Sequence, residues 1–169
     1  MGFKLFPTEY YDSAYSINYE KYYSLGYKAI IFDIDNTLVP HDAPNDTRSR
    51  ALFERLHNIG YKISFVSNNK EPRVKSFSDE ASGEYIFKAG KPKRSGFIEA
   101  MRRMQTTREN TLFIGDQIFT DIWGANRTGL HSILVKQVAK TEEIQIVLKR
   151  YLEKPILAVY QIKHKLKTK

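Results

Sequence analysis

Asp33 and Asp35 stand two residues apart at the end of an apolar run, Lys28-Ala29-Ile30-Ile31-Phe32. Asp116 and Asp121 follow a second such run, Thr111-Leu112-Phe113-Ile114-Gly115. Strand side chains two apart point the same way. Two carboxylates held there repel each other and resist desolvation, and a cation beside them removes that cost. Four aspartates without Cys or a nearby His suit a hard, oxygen-seeking cation, Mg²⁺ before Zn²⁺. Thr37 and Ser67 add hydroxyl donors, and Lys91 adds a point positive charge. Carboxylates, Mg²⁺, a lysine and hydroxyls together suit phosphoryl transfer.

These residues need a scaffold that brings separate segments together. Lys28 to Asp33, Tyr61 to Ser67, Glu84 to Lys88, Thr111 to Gly115 and His131 to Val135 read as five strands. Between them lie helix-period segments. One is capped by Asp46 and Thr47 and stopped by Gly60; one has Pro72 in its first turn and runs to Ser82. Another opens at Pro92 and runs to Met104, and a short one spans Asp121 to Arg127. Strict alternation of strand and helix argues for a parallel sheet with helices on both faces. Ligands in such sheets sit beyond the carboxyl ends of the strands, where Asp33, Asp35, Thr37, Ser67, Asn68, Asn69 and Asp116 all fall. The residues alone do not choose between Asp33 and Asp35 as a nucleophile.

In this order the residues carry a resemblance. Asp33-Ile34-Asp35-Asn36-Thr37 resembles the DxDxT motif of the haloacid dehalogenase (HAD) superfamily, and Ser67-Asn68-Asn69 its second motif. Lys91-Pro92 resembles the third, and Gly115-Asp116-Gln117-Ile118-Phe119-Thr120-Asp121 the fourth, GDxxxxD. Asn36 departs from the frequent Gly but tolerates a left-handed backbone, so the turn is retained. The opening Leu5-Phe6-Pro7-Thr8-Glu9-Tyr10 and the segment Thr120 to Gly129 further resemble the YqeG-type subclass IIIA phosphatases, a group related to phosphatidylglycerophosphate phosphatases. The resemblance implies a three-layer Rossmann-like fold with a five-stranded parallel sheet and a minimal cap. It implies Asp33 as nucleophile forming an aspartyl-phosphate, and Asp35 as general acid and base. It further implies Mg²⁺ held by Asp33, the Asp35 backbone carbonyl and Asp116, with Asp121 as a further ligand or orienter. Thr37, Ser67, Asn68 and Lys91 would bind phosphate or substrate.

No gap between motifs holds a folded lid. Asp35 to Ser67 spans 32 positions and Asn69 to Lys91 spans 22, each used up by ordinary elements. The expectation is an open mouth, with water excluded by the substrate or a partner. The chain of 169 residues is read as one domain, with its core at 28–135 and a basic amphipathic helical segment at 141–166. Its net charge of +8 is uneven: residues 136–169 hold nine basic and three acidic side chains. Ile144, Val147, Leu148, Tyr151 and Leu152 follow helical spacing, and Pro155 is expected to interrupt that helix. Seven of the eleven Tyr lie in residues 1–27. Basic amphipathic stretches and interfacial Tyr suit an anionic lipid surface; the alternatives are a helix packed on its own core and a Tyr cluster that covers the sheet or builds an oligomer contact.

The resulting expectation is a Mg²⁺-dependent phosphatase acting on a phosphate monoester, a lipid phosphate of the phosphatidylglycerophosphate kind, with peripheral membrane contact and no specific nucleic acid. Rivals are a protein or nucleic-acid-end phosphatase, and a catalytically silent fold binding RNA or lipid. The Met1-Gly2-Phe3 start lacks an apolar signal region, which reads as cytoplasmic. The absence of Cys excludes disulfides and thiolate chemistry. His41, His57, His131 and His164 receive no role, and Trp123 and Phe119 are expected to pack the short helix inward.

Overall fold

A computed structural model describes residues 4–139 and 144–167, with side-chain detail in the last helix confined to 146–164. Met1-Gly2-Phe3 and the head of the C-terminal segment, 141–143, lie outside them. The strands are β1 (Glu9–Tyr11), β2 (Ala29–Phe32), β3 (Lys62–Val66), β4 (Glu84–Ile86), β5 (Thr111–Gly115) and β6 (His131–Val135). The helices are α1 (Tyr19–Ser24), α2 (Thr47–Ile59), α3 (Glu71–Ala81), α4 (Ser95–Met104), α5 (Trp123–Thr128) and α6 (Ile144–Lys167). All strand pairs are parallel, in the order β1-β6-β5-β2-β3-β4. The sheet therefore has six strands rather than five. The extra one, β1, pairs with β6 through Glu9 and Ile133; three residues are too short to leave a readable alternation.

Alternation along β2 builds the layers. Ile30 and Phe32 face a core with Phe53, Phe65 and Phe77 under α2 and α3, while Ala29 and Ile31 face Phe97 and Phe113 under α4. Phe65 is the hub of the first layer, with ring centroids 5.5 Å from Phe53 and 5.4 Å from Phe77. The helix ends follow their chemistry. Asp46 caps α2 in a reciprocal box with Ser49, and Gly60 closes it at φ 107°. Helix α4 begins at Ser95 rather than Pro92, because Lys91 to Arg94 form a turn before it, and α5 begins at Trp123 rather than Asp121.

The Tyr-rich amino end belongs to the fold. Tyr19 and Tyr22 are buried, and Tyr11, Tyr15, Tyr23 and Tyr27 pack against the same core. The Tyr15 hydroxyl donates to the Leu38 carbonyl at 2.6 Å, pinning the turn after β2.

Helix α6 differs more from expectation. Pro155 lies inside one continuous helix and does not divide it. Its Leu148–Leu152 stripe faces outward, as a surface-binding segment requires: Leu148, Tyr151 and Leu152 are 65%, 64% and 60% exposed. The side turned to the protein carries Arg150, Glu153, Ile156, Leu157 and Tyr160, the last three apolar groups lying at the Ile118, Leu134 and Phe6 edge.

Phe65→Ala is expected to cost roughly 3–5 kcal/mol of unfolding free energy, the range for large buried aromatic truncations. Urea denaturation checks this, and a loss under about 1 kcal/mol would show that the ring is not the hub of its layer.

Candidate active site

The chain leaves β2, crosses to β3 and β4, then returns to β5 on the other side of β2. That reversal opens a crevice beyond the ends of β2 and β5. Asp33 directly follows β2, and its N–H donates to the Ile114 carbonyl of β5 at 2.9 Å. Asp116 directly follows β5. Adjacent strand ends thus bring carboxylates from distant parts of the chain into one cluster.

Oxygens of Asp33, Asp116 and Asp121 lie within 4.8 Å of one another, and all three residues are buried. Lys91 answers two of them: its Nζ donates to Asp33 Oδ1 at 2.5 Å and to Asp121 Oδ1 at 2.7 Å. The Thr37 hydroxyl lies 3.1 Å from Asp33 Oδ2 and 3.0 Å from Asp116 Oδ1. Asp121 Oδ2 accepts the N–H groups of Asp116 at 3.2 Å and Gln117 at 3.1 Å. Asp121 therefore ties the loop after β5 to Lys91. Gly115 permits this closeness, since a Cβ there would stand 2.7 Å from the Asp121 carboxyl carbon.

Local turns aim the remaining groups. Asn36 takes the left-handed conformation at φ 62°, which brings Thr37 and Leu38 back to bond the Ile34 carbonyl. Asn68 clamps the Lys91 backbone, accepting its N–H at 2.8 Å and donating to its carbonyl at 3.3 Å. Ser67 accepts the Asn69 N–H at 3.1 Å. Asp35 leaves the buried cluster for a second group: Arg73 Nη2 at 3.0 Å, the Asp42 N–H at 2.9 Å and Asn69 Nδ2 at 3.3 Å.

Electrostatics separates the two aspartates of the first motif. Burial pushes the Asp33 carboxyl well above its usual range; Lys91 opposes this, while Asp121 and Asp116 add to it. Burial pushes Asp116 up to about 6, against the pull of Arg150. Burial also acts on Asp35, but the Asp42 N–H and Arg73 outweigh it, so Asp35 lies below the usual range. Burial works against the Lys91 ammonium, yet Asp121 and Asp33 outweigh it and raise its pKa. Three buried carboxylates thus face two buried or half-buried cations, Lys91 and Arg150. A deficit of positive charge with an all-oxygen donor set fits a hard divalent cation.

A cleft of about 330 Å³ opens over this floor, lined by Asp33, Asp35, Ser67, Asn68, Asn69 and Lys91. His41, Gln117 and Thr120 border it, and so do Ile146 and Lys149 of α6. Thr37 lies beneath this lining, directed at the carboxylates.

Comparison with known proteins identifies the family. A HAD-hydrolase-like family model matches residues 88–149. The probable phosphatase YqeG of Bacillus subtilis is 40% identical over 158 residues, covering 93% of this chain and 92% of that protein. The chain belongs to the HAD-type phosphatase family. A chloroplastic/mitochondrial phosphatidylglycerophosphate phosphatase 1 of Arabidopsis thaliana is 27% identical, covering 85% of this chain but 47% of that protein. Among solved structures, a HAD phosphatase from Thermococcus onnurineus aligns at TM-score 0.52 and 15% identity, over 69% of this chain and 90% of that one. The cobalt-bound octulosonate 8-phosphate phosphatase YrbI of Haemophilus influenzae aligns at TM-score 0.54 and 15% identity, over 65% and 68%. These two show that the HAD fold is shared.

The structure adds residues to this HAD-type site that sequence reasoning missed. Arg73 lies at the head of α3, and its only local signal is a place after Pro72. His41 lies 4.0 Å from Asp35 and 3.3 Å from Asp42. Arg150 of α6 donates to the Asp116 carbonyl at 2.6 Å and to its carboxylate. Glu153, one turn on, accepts the Phe119 N–H at 3.2 Å. The basic C-terminal segment, expected to lie outside the catalytic machinery, thus touches it. Trp123 is 36% exposed rather than packed inward.

Two outcomes follow. Gly115→Ala is expected to drive the Asp121 carboxylate off Lys91, reducing phosphate-ester turnover by roughly 10²-fold, as misplacement near 1 Å can; turnover within threefold of wild type would refute the close approach. Burial pushes Glu153 up to about 7. Its raised folded-state pKa gives stability that is full below about pH 4.5 and lost as pH rises through about 7. Glu153→Gln should therefore gain melting temperature over wild type at pH 8 and not at pH 5; an equal difference at both values counts against a buried, charge-averse Glu153.

Proposed function

We propose that this protein is a Mg²⁺-dependent phosphatase that releases inorganic phosphate from a phosphate monoester through an aspartyl-phosphate on Asp33. The observation that carries this reading is the convergence of Asp33, Asp116, Asp121 and Lys91 at adjacent strand ends, under a cleft large enough for a phosphate ester. Asp33, Asp116 and Asp121, with the Asp35 backbone carbonyl, would hold Mg²⁺, which when bound supplies charge neutralisation for the phosphoryl group.

The chain's own residues account for the proton and the bond changes. A carboxylate oxygen of Asp33 attacks phosphorus, and the phosphorus–oxygen bond to the leaving group breaks. Asp35 gives a proton to the departing alkoxide. It then takes a proton from the water that attacks the aspartyl-phosphate, which frees Asp33 and inorganic phosphate. Arg73 holds Asp35 ionised in the free site, and an entering phosphate, a like charge, raises its proton affinity. Lys91 keeps Asp33 oriented, while Ser67 and Asn68 line the phosphate cleft.

The substrate class proposed is a lipid phosphate presented at an anionic surface. Support comes from α6, whose outer face exposes Leu148, Tyr151, Leu152 and Ile162 beside Lys149, Lys154 and Lys163. Such a face suits interfacial binding. No described helix is long and apolar enough to cross a membrane. Ile146 and Lys149 carry the same helix to the rim of the cleft, so substrate and surface meet on one element. Similarity to the plant lipid phosphatase points the same way.

With an aryl phosphate and Mg²⁺, Asp33→Asn is expected to lose roughly 10³-fold or more in kcat. Equal turnover by both proteins would remove Asp33 as nucleophile. The substrate class is read from phosphate release: faster turnover of lipid phosphate in anionic vesicles than of sugar or nucleotide phosphates supports it, and the reverse order overturns it.

A further inference from the structure

Helix α6 reaches the carboxylate cluster through one side chain. Arg150 grips Asp116 at two points, Nη1 on the backbone carbonyl at 2.6 Å and Nη2 on the carboxylate. The Thr37 hydroxyl holds the other Asp116 oxygen at 3.0 Å. The Asp116 side chain is thus fixed between a strand-end turn and a helix from the far end of the chain. Glu153 secures the same loop three residues later, through the Phe119 N–H, and lies 3.6 Å from Arg150 Nη1. Ile156, Leu157 and Tyr160 anchor the rest of this face.

Charge makes the contact more than a fastener. Lys91 is spent on Asp33 and Asp121, so Arg150 is the cation that answers Asp116. A guanidinium stays charged under all working conditions and cannot be titrated away. Removing it leaves the surroundings of Asp116 one unit more negative toward an incoming dication. Among carboxylates as buried as these, that difference is felt more strongly than at an exposed surface.

We propose that Arg150 is a positioning residue of the cation centre, which orients the Asp116 carboxylate and lowers the affinity of the cluster for a divalent cation, so that the seating of α6 sets cation occupancy. The proposal rests on the reading that Asp33, Asp116 and Asp121 hold Mg²⁺. Coupling follows from the geometry: any surface that engages the outer face of α6 acts on the element that carries Arg150.

The test is a titration of Mg²⁺ into the substrate-free protein by calorimetry, with Mn²⁺ followed by electron paramagnetic resonance as a second probe. R150Q removes the charge and keeps a donor for the Asp116 carbonyl; R150K keeps the charge and loses the paired grip. The expected result is binding on the order of tenfold tighter in R150Q and within about threefold of wild type in R150K. Equal or weaker binding in R150Q overturns the proposal while leaving the phosphatase reading intact. Should R150Q fail to fold, R150K decides, and binding on the order of tenfold tighter in it overturns the assignment to charge. Wild-type protein that binds neither ion overturns the cation reading together with this one.

Discussion

The Lys91 ammonium, buried between Asp33 and Asp121, is the contact on which the active site depends. Carboxylates from the ends of β2 and β5 are costly to bury together, and removing one partner from such a group leaves a charge with neither water nor counter-ion. Lys91 meets that cost only if its backbone is fixed, and Asn68 fixes it with both ends of its amide. The second motif therefore acts on the third before any substrate arrives. Asp121 serves the same end from the other side, joining Lys91 to the loop that carries Asp116. Take Lys91 away, and the cluster loses the charge that lets three aspartates share one crevice.

Close approach is the second constraint. Asp121 can reach back to Asp116 because Gly115 leaves the space, and Thr37 can reach both Asp33 and Asp116 because Asn36 turns the chain through a left-handed residue. Tyr15 then locks that turn from beneath by holding Leu38. An aromatic cluster that reads as a candidate interface is thus part of the support for the first motif. The Tyr15 and Tyr19 hydroxyls find backbone carbonyls, Tyr22 meets the Tyr11 hydroxyl and Tyr27 the His131 ring, since buried tyrosines usually need a partner.

Much of this was legible in the sequence. Strands β5 and β6 have the bounds that their apolar runs suggest, and α2 follows its Asp46 and Gly60 signals. The four motifs mark the strand ends that meet. What remained hidden has a physical reason in each case. The pairing of β1 depends on a distant β6, which three residues cannot announce. Helical spacing in α6 identifies an apolar stripe but not which stripe faces the protein. Here the inward face is partly polar because its target, the Asp116 loop, is polar and needs Arg150 and Glu153. Charge summed along the segment hid that assignment, since one arginine among nine basic residues carries no mark of its partner.

The motifs have no lid between them, as their spacing predicts, and what covers part of the cleft comes from the end of the chain. Counting residues between motifs detects an inserted cap and is blind to a cover that arrives from the end of the chain. Helix α6 supplies Ile146 and Lys149 to the cleft rim and fastens itself through Arg150, so part of the mouth is walled without any insertion. A cap inserted between motifs would bury its own core and close as a unit, whereas α6 keeps Leu148, Tyr151 and Leu152 exposed. Such a wall excludes water on one side only.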